Sequence, residues 1–169
     1  MKKNWHGLIK IIEAQHIRNG EVIWEAKNLY NLLHAGGELF CLTCCFDNDG
    51  TFPPDEYFFG LDNRSSLDVV DLMTDLVDEP SGNGYLRQSV SSSSGFTLDV
   101  VNGIYRATSQ ILTFSATSGG WTAANLFLTT RSDNDGILLA SAPLSTEITI
   151  EAGESFNMRM SLSLSDTEL

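Results

Sequence analysis

The sequence predicts a mainly β protein, a single-domain, jelly-roll-like β-sandwich over 1–169, with an amphipathic helix at about 66–79 and a short helix at about 28–35. Two observations carry this. From residue 85 onward, eight short β-rich runs follow one another, separated by Asn-Gly, Gly-Gly and Asp-Asn-Asp-Gly turns. The last run alternates cleanly, with Phe156, Met158, Met160, Leu162 and Leu164 on one face and polar residues with Arg159 on the other. The chain, at 42% hydrophobic and 19% charged residues, has globular composition. A chain of this length buries roughly 70% of its unfolded surface, so it needs no disulfide or metal to hold a core.

Residues 8–27 read as a β-hairpin, because Asn19-Gly20 between Ile17 and Val22 supplies the positive φ that a two-residue turn requires. Residues 1–20 are read as an N-terminal arm or hairpin used in docking. A short helix at 28–35 follows from Asn28 as cap, Leu29, Leu32 and Leu33 on one face, and Gly36-Gly37 as terminator. The run Glu38–Phe46 is apolar on both alternating faces and reads as a central strand. Residues 47–56 are turn chemistry, and Tyr57–Leu61 returns as a strand. The helix at 66–79 rests on Val69, Val70, Leu72, Met73, Leu76 and Val77 at a 3.6 period. Asp68, Asp71, Asp75 and Asp78 lie opposite, Ser65 or Ser66 caps it and Pro80 stops it. Strands are then placed near 85–91, 96–101, 104–108, 110–117, 121–130, 137–142, 146–151 and 155–164.

Chemistry is sparse. Asp-Asn-Asp-Gly occurs at 47–50 and 133–136, and carboxylates at alternate positions before a glycine resemble half of a calcium loop. The acid that should precede each copy is replaced by Cys45 and Arg131, so both are read as turns. Cys41, Cys44 and Cys45 on a strand would not converge on one ion and are read as buried thiols, suited to a reducing compartment. His6, His16 and His34 are scattered. No nucleophile elbow, P-loop, dinucleotide fingerprint or zinc-protease motif occurs, so neither enzymatic activity nor a cofactor or metal is expected. Trp5, Trp24 and Trp121 keep a sugar-stacking platform open, and with it a carbohydrate-binding β-sandwich.

Charge narrows the partners. Ten Lys+Arg against 22 Asp+Glu give −12, which opposes direct nucleic-acid binding. No apolar run reaches membrane-span length, and no secretion signal is expected at the N-terminus. All four lysines lie within the first 27 residues, whereas 46–88 holds ten acids against Arg64 and Arg87. Lys2, Lys3, Trp5 and Lys10 are therefore the candidate partner-docking residues. Asp68, Asp71, Asp75 and Asp78 are the candidate acidic contact face. Asp78 and Glu79 at a helix C-terminus oppose the macrodipole, which points to a basic neighbour.

Five segments carry a resemblance: 24–29 leading to Gly36-Gly37-Glu38, Tyr57–Arg64, Glu79–Val90 (EPSGNGYLRQSV), Leu126–Ser145 and Gly153–Leu164. Together they resemble small virion structural proteins of tailed bacteriophages. The resemblance covers roughly 24–164, and its most specific piece is EPSGNGYLRQ. It implies a non-enzymatic virion protein made in the bacterial host cytoplasm. The expected role is a capsid decoration, or cement, protein that binds the major capsid protein lattice, with a neck, tail or fibre-associated component as the alternative. Three-fold lattice positions suggest a homotrimer.

Overall fold

The computed structural model describes residues 8–30, 32–46, 53–64, 67–101 and 103–163. Among these the chain is mainly β, with two antiparallel sheets and one α-helix.

The hairpin forms as its turn requires. β1 (Leu8–Arg18) and β2 (Glu21–Tyr30) pair across Asn19 and Gly20, which take φ of 52° and 81°. β3 (Leu32–Leu33) leads into α1 (Ala35–Phe46), and β4 (Glu56–Asp62) follows. After the 67–87 connection come β5 (Gln88–Ser91), β6 (Phe96–Val101), β7 (Ile104–Ser109) and β8 (Leu112–Ser115). β9 (Trp121–Thr129), β10 (Leu138–Ile150) and β11 (Ser155–Ser163) complete the chain as described. One sheet runs β2-β1-β11-β7-β6, with β8 also on β11; the other runs β3-β10-β9-β4-β5.

Both sheets feed one core. Phe59, Leu61, Leu126, Leu128, Ala140 and Ile150 from one sheet join Ala14, Phe114, Phe156, Met158 and Met160 from the other. β11 keeps its expected alternation, with Phe156, Met158 and Met160 buried. The expected strands at 137–142 and 146–151 are one strand, β10, whose pairing with β9 is irregular between Pro143 and Ile148. Proline lacks the N–H that a regular ladder uses at that point.

Three expectations fail, each for a local reason. The short helix at 28–35 is absent. β2 continues to Tyr30 because its pairing with β1 persists, and Leu33 pairs with Ala140 as part of β3. Helix α1 begins where that helix was expected to end, so Gly36 and Gly37 open a helix instead of closing one. Gly37 permits close packing: a Cβ there would stand 2.2 Å from the Leu139 carbonyl oxygen.

Glu38–Phe46, expected as a central strand, lies within α1. Short apolar runs fit a strand and a helix equally by periodicity, and packing decides. Here Gly37 and Phe40 face the core. The thiols consequently lie on a helix: Cys41 and Cys45 are exposed and Cys44 half-buried, not sealed in a sheet.

The helix at 66–79 is replaced over 67–78 by turns and one 3-10 turn (Met73–Asp75). Asp68, Asp71 and Asp75 bond the local backbone with their side chains. Asp68 N–H donates to Asp71 Oδ2 at 2.7 Å, and Leu72 N–H to Asp75 Oδ2 at 2.8 Å. Short acidic side chains that cap the backbone three residues back interrupt a helix repeatedly. Part of the expected apolar face still does its work, since Met73 and Leu76 are buried against Phe127 and Leu138 on the outer side of the five-stranded sheet. Ser65 and Ser66 lie outside the described residues.

Candidate docking site

The site begins with the excess of apolar residues in Glu38–Phe46. Once Phe40 has turned inward, Leu39, Leu42 and Phe46 fall at i, i+3 and i+7 on the opposite side of α1. They remain 65%, 57% and 85% exposed. The 67–78 segment adds Val70, Leu72 and Val77, also exposed. Between the two runs a groove of 450 Å³, lined by Gly36, Leu39, Phe40, Leu72, Met73 and Ile137, opens to solvent. Leu39 of α1 and Leu72 of the 67–78 segment both line it, and clustered exposed apolar residues are what interfaces use, whereas single exposed leucines are ordinary.

The groove is held by anchors at each side. His34 N–H donates to the Leu139 carbonyl and Ala35 N–H to the Val69 carbonyl, tying the start of α1 to β10 and to the 67–78 segment. His34 Nε2 lies 2.8 Å from Ser141 Oγ. Both side chains are buried, and burial pushes the imidazole below its usual range. A Ser–His contact is the start of a nucleophile, but this one is closed to solvent and joins β3 to β10. Sequence spacing gives no sign of it, since 107 residues separate the partners.

On the far side stands an arginine clasp. Arg87 Nη2 lies 2.6 Å and Nε 2.8 Å from the two oxygens of Glu79, a two-point contact. The same guanidinium donates to the Asp133 carbonyl at 2.7 Å and bonds Asn134 Oδ1, and it lies 5.2 Å from the centre of the Phe127 ring. Tyr85 accepts the Leu61 N–H at 2.7 Å and donates to Glu79 at 2.9 Å; burial pushes its phenol up. Thus the segment EPSGNGYLRQ is a clasp joining the 67–87 connection to the 131–136 turn. Glu79 has its basic neighbour, Arg87, without a helix terminus. The second Asp-Asn-Asp-Gly is the turn so clasped, closed further by Asp135 N–H on Asp133 Oδ1. The first copy lies outside the described residues.

The candidate acidic residues do not form one face. Asp71 accepts from Arg64 at 3.2 Å as well as from Asp68 N–H. Asp75 caps Leu72, and Asp68 Oδ1 takes the Val70 N–H at 3.4 Å. Asp68, Asp75 and Asp78 stay exposed on the segment that contributes Leu72, Met73 and Thr74 to the groove. Among the described residues no carboxylate lines the groove itself, to which the 131–136 turn contributes Asn134 and Gly136. Among the candidate docking residues, Lys10 lies in β1, its backbone paired with Ser161 and Tyr30. Lys2, Lys3 and Trp5 lie outside the described residues.

Two tryptophans are accounted for. Trp121 is buried edge-on to Tyr85, with centroids 5.8 Å apart, and Trp24 packs 6.4 Å from Phe156. Trp121 is therefore closed to a sugar ring, and Trp24 is half-buried. Among the described residues no group of three or more His, Cys, Asp or Glu is placed to hold a metal ion, and no helix is long and apolar enough to cross a membrane. Compared with known proteins, the chain matches no protein-family model and has no significant match among curated sequences.

Proposed function

We propose that this protein is a non-enzymatic structural component of a tailed-bacteriophage virion, a decoration protein that docks on the capsid lattice through the apolar face of α1. The observation that carries the docking is the exposed stripe Leu39, Leu42 and Phe46 beside the apolar groove. Folding does not use this stripe, and leaving it wet is unfavourable by about 25 cal/mol for each Å². The virion assignment is supported by the five-segment resemblance. The two sheets are read as facing layers of a jelly-roll-like sandwich, since the chain passes between them at β2–β3, β5–β6, β8–β9 and β10–β11 and both contribute to one core.

The partner surface is basic and apolar in this reading. The N-terminal residues Lys2, Lys3 and Trp5, with Lys10, have that chemistry, so a neighbouring copy in a homotrimer can supply part of it and the major capsid protein the rest. Mass spectrometry of purified particles tests the assignment. Copies in proportion to the shell lattice support decoration, a single ring's worth moves the protein to the neck or tail, and absence from particles rejects the reading.

One observation favours glycan binding as a second reading. The outer face of the six-stranded sheet has a polar hollow of 430 Å³ containing Asp99, Arg106, Thr108 and Arg159. Thr108 Oγ1 and Arg159 Nε are buried there without hydrogen-bond partners. Reproducible glycan-array hits that R159A removes would favour it over capsid docking.

A further inference from the structure

A second hollow lies on the other side of α1, between the sheets, and its origin is a single small residue. On the inner face of the six-stranded sheet, Leu162, Ala107 and Leu98 stand side by side across β11, β7 and β6. The middle position is alanine, so the row has a dip one large side chain deep. Opposite stand Leu128 and Leu139 of the other sheet, both buried, and α1 roofs the space with Phe40 and Cys41. The end is walled by rings: Phe40 meets Tyr57 edge-on at 6.5 Å, and Tyr57 meets Phe96 edge-on at 6.0 Å. The cleft so formed measures 340 Å³ and reaches solvent beside Cys41 and Leu98, which is 79% exposed.

We infer that this cleft is a binding site for a small, uncharged apolar molecule, about the size of a two-ring aromatic or a short aliphatic chain. Size selects the occupant. An apolar cavity of ~150 Å³ holds one benzene, so 340 Å³ holds roughly twice that and is too narrow for a helix or strand of a protein partner. Chemistry selects it too. The walls are aliphatic and aromatic, and the three edge-on rings make one continuous wall against which a flat or linear hydrocarbon packs. The polar groups, Ser92 and Ser93 with the Tyr57 hydroxyl and the Cys41 thiol, offer hydrogen bonds but no charge to pair with an ion. Few polar groups in a mostly apolar concavity of at least ~300 Å³ is the usual composition of a small-molecule site. Burial raises both the Tyr57 phenol and the Cys41 thiol, so each stays neutral at physiological pH.

The test uses N-phenyl-1-naphthylamine, whose fluorescence rises in apolar surroundings, with the full chain and with naphthalene or 1-octanol as competitors. The wild type binds saturably at one site and either competitor displaces the dye. A107F, which fills the dip, weakens binding by at least about tenfold, whereas L42S on the far side of α1 leaves it unchanged. Should A107F fold poorly, L98D at the exposed mouth replaces it, with the same loss expected. An internal control sits on the helix: naphthalene slows alkylation of Cys41 severalfold and leaves Cys45 untouched, read by fragmentation mass spectrometry. Absence of saturable binding, equal loss in L42S, or equal protection of both cysteines overturns the inference.

Discussion

His16 Nε2 lies 2.6 Å from Glu154 Oε2, joining β1 to the turn before β11 across 138 residues of sequence. Both side chains are about 6% exposed. The Arg18 guanidinium bonds the other carboxylate oxygen, and the Glu151 N–H donates to Oε2 at 3.0 Å. Hydrogen bonding by Arg18, helped by the Glu151 N–H and His16, holds the Glu154 carboxyl down to about 2 against the opposing effect of burial.

The first prediction follows from that depressed carboxyl. The folded state binds the proton more weakly than the unfolded chain, whose value is near 4.5. Glu154 therefore stabilises fully above that value, and its contribution is lost as pH falls from 4.5 toward 2. E154Q is expected to cost about 1–2 kcal/mol at neutral pH, because Arg18 is half exposed and its share is screened. The melting temperature falls by roughly 2–8 °C, and the acid limb flattens over that window. An unaltered acid limb in thermal melts of E154Q contradicts this.

The second concerns the clasp. Arg87 is 7% exposed and holds Glu79, two backbone carbonyls and Asn134 at once. R87A leaves Glu79 without its counter-charge and is expected to cost about 3 kcal/mol. R87K keeps the charge but loses the two-point contact, and is expected to cost about half as much. Urea denaturation of both variants checks the ordering. Equal stabilities for R87A and wild type contradict it.

A third prediction separates adjacent glycines. G37A drives a Cβ to 2.2 Å from backbone, so α1 must lift off β10, at a cost of about 1–3 kcal/mol. G36A meets only the Ile137 side-chain methyl at 3.2 Å and the Leu138 carbonyl at 3.4 Å, and is milder. Denaturation midpoints ranked the other way would refute this packing account.

Strands and turns were legible where side chains alternate and where a turn demands a residue type. The Asn19-Gly20 hairpin and β11 follow from those rules, and β6 runs over 96–101 as expected. What misled was composition that serves contacts distant in sequence. Gly36-Gly37 read as a terminator because the demand on Gly37 comes from Leu139, about a hundred residues on. The aspartates of 67–78 read as a solvated helix face, yet oxygens of Asp71, Asp68 and Asp75 take the N–H groups of Asp68, Val70 and Leu72. Glu38–Phe46 read as buried on both sides because an exposed apolar helix face and a core face have the same residue types. The clasp was half legible: Glu79 called for a cation, and only the fold shows that it is Arg87.

The fourth prediction addresses the exposed stripe. L39S/L42S/F46S removes three large apolar side chains that contact solvent, so folding is expected to change by less than about 1 kcal/mol. Self-association at high concentration is expected to decrease, as measured by sedimentation velocity. A large loss of stability instead would mean that α1 uses those residues in folding.

The measurement closest to the central claim is co-sedimentation of purified protein with decoration-free particles, comparing wild type with L39D/F46D. Docking through α1 predicts saturable wild-type binding at a stoichiometry set by the lattice. The folded variant should bind at least about tenfold more weakly. Equal binding by the two proteins, or no binding by the wild type, contradicts it.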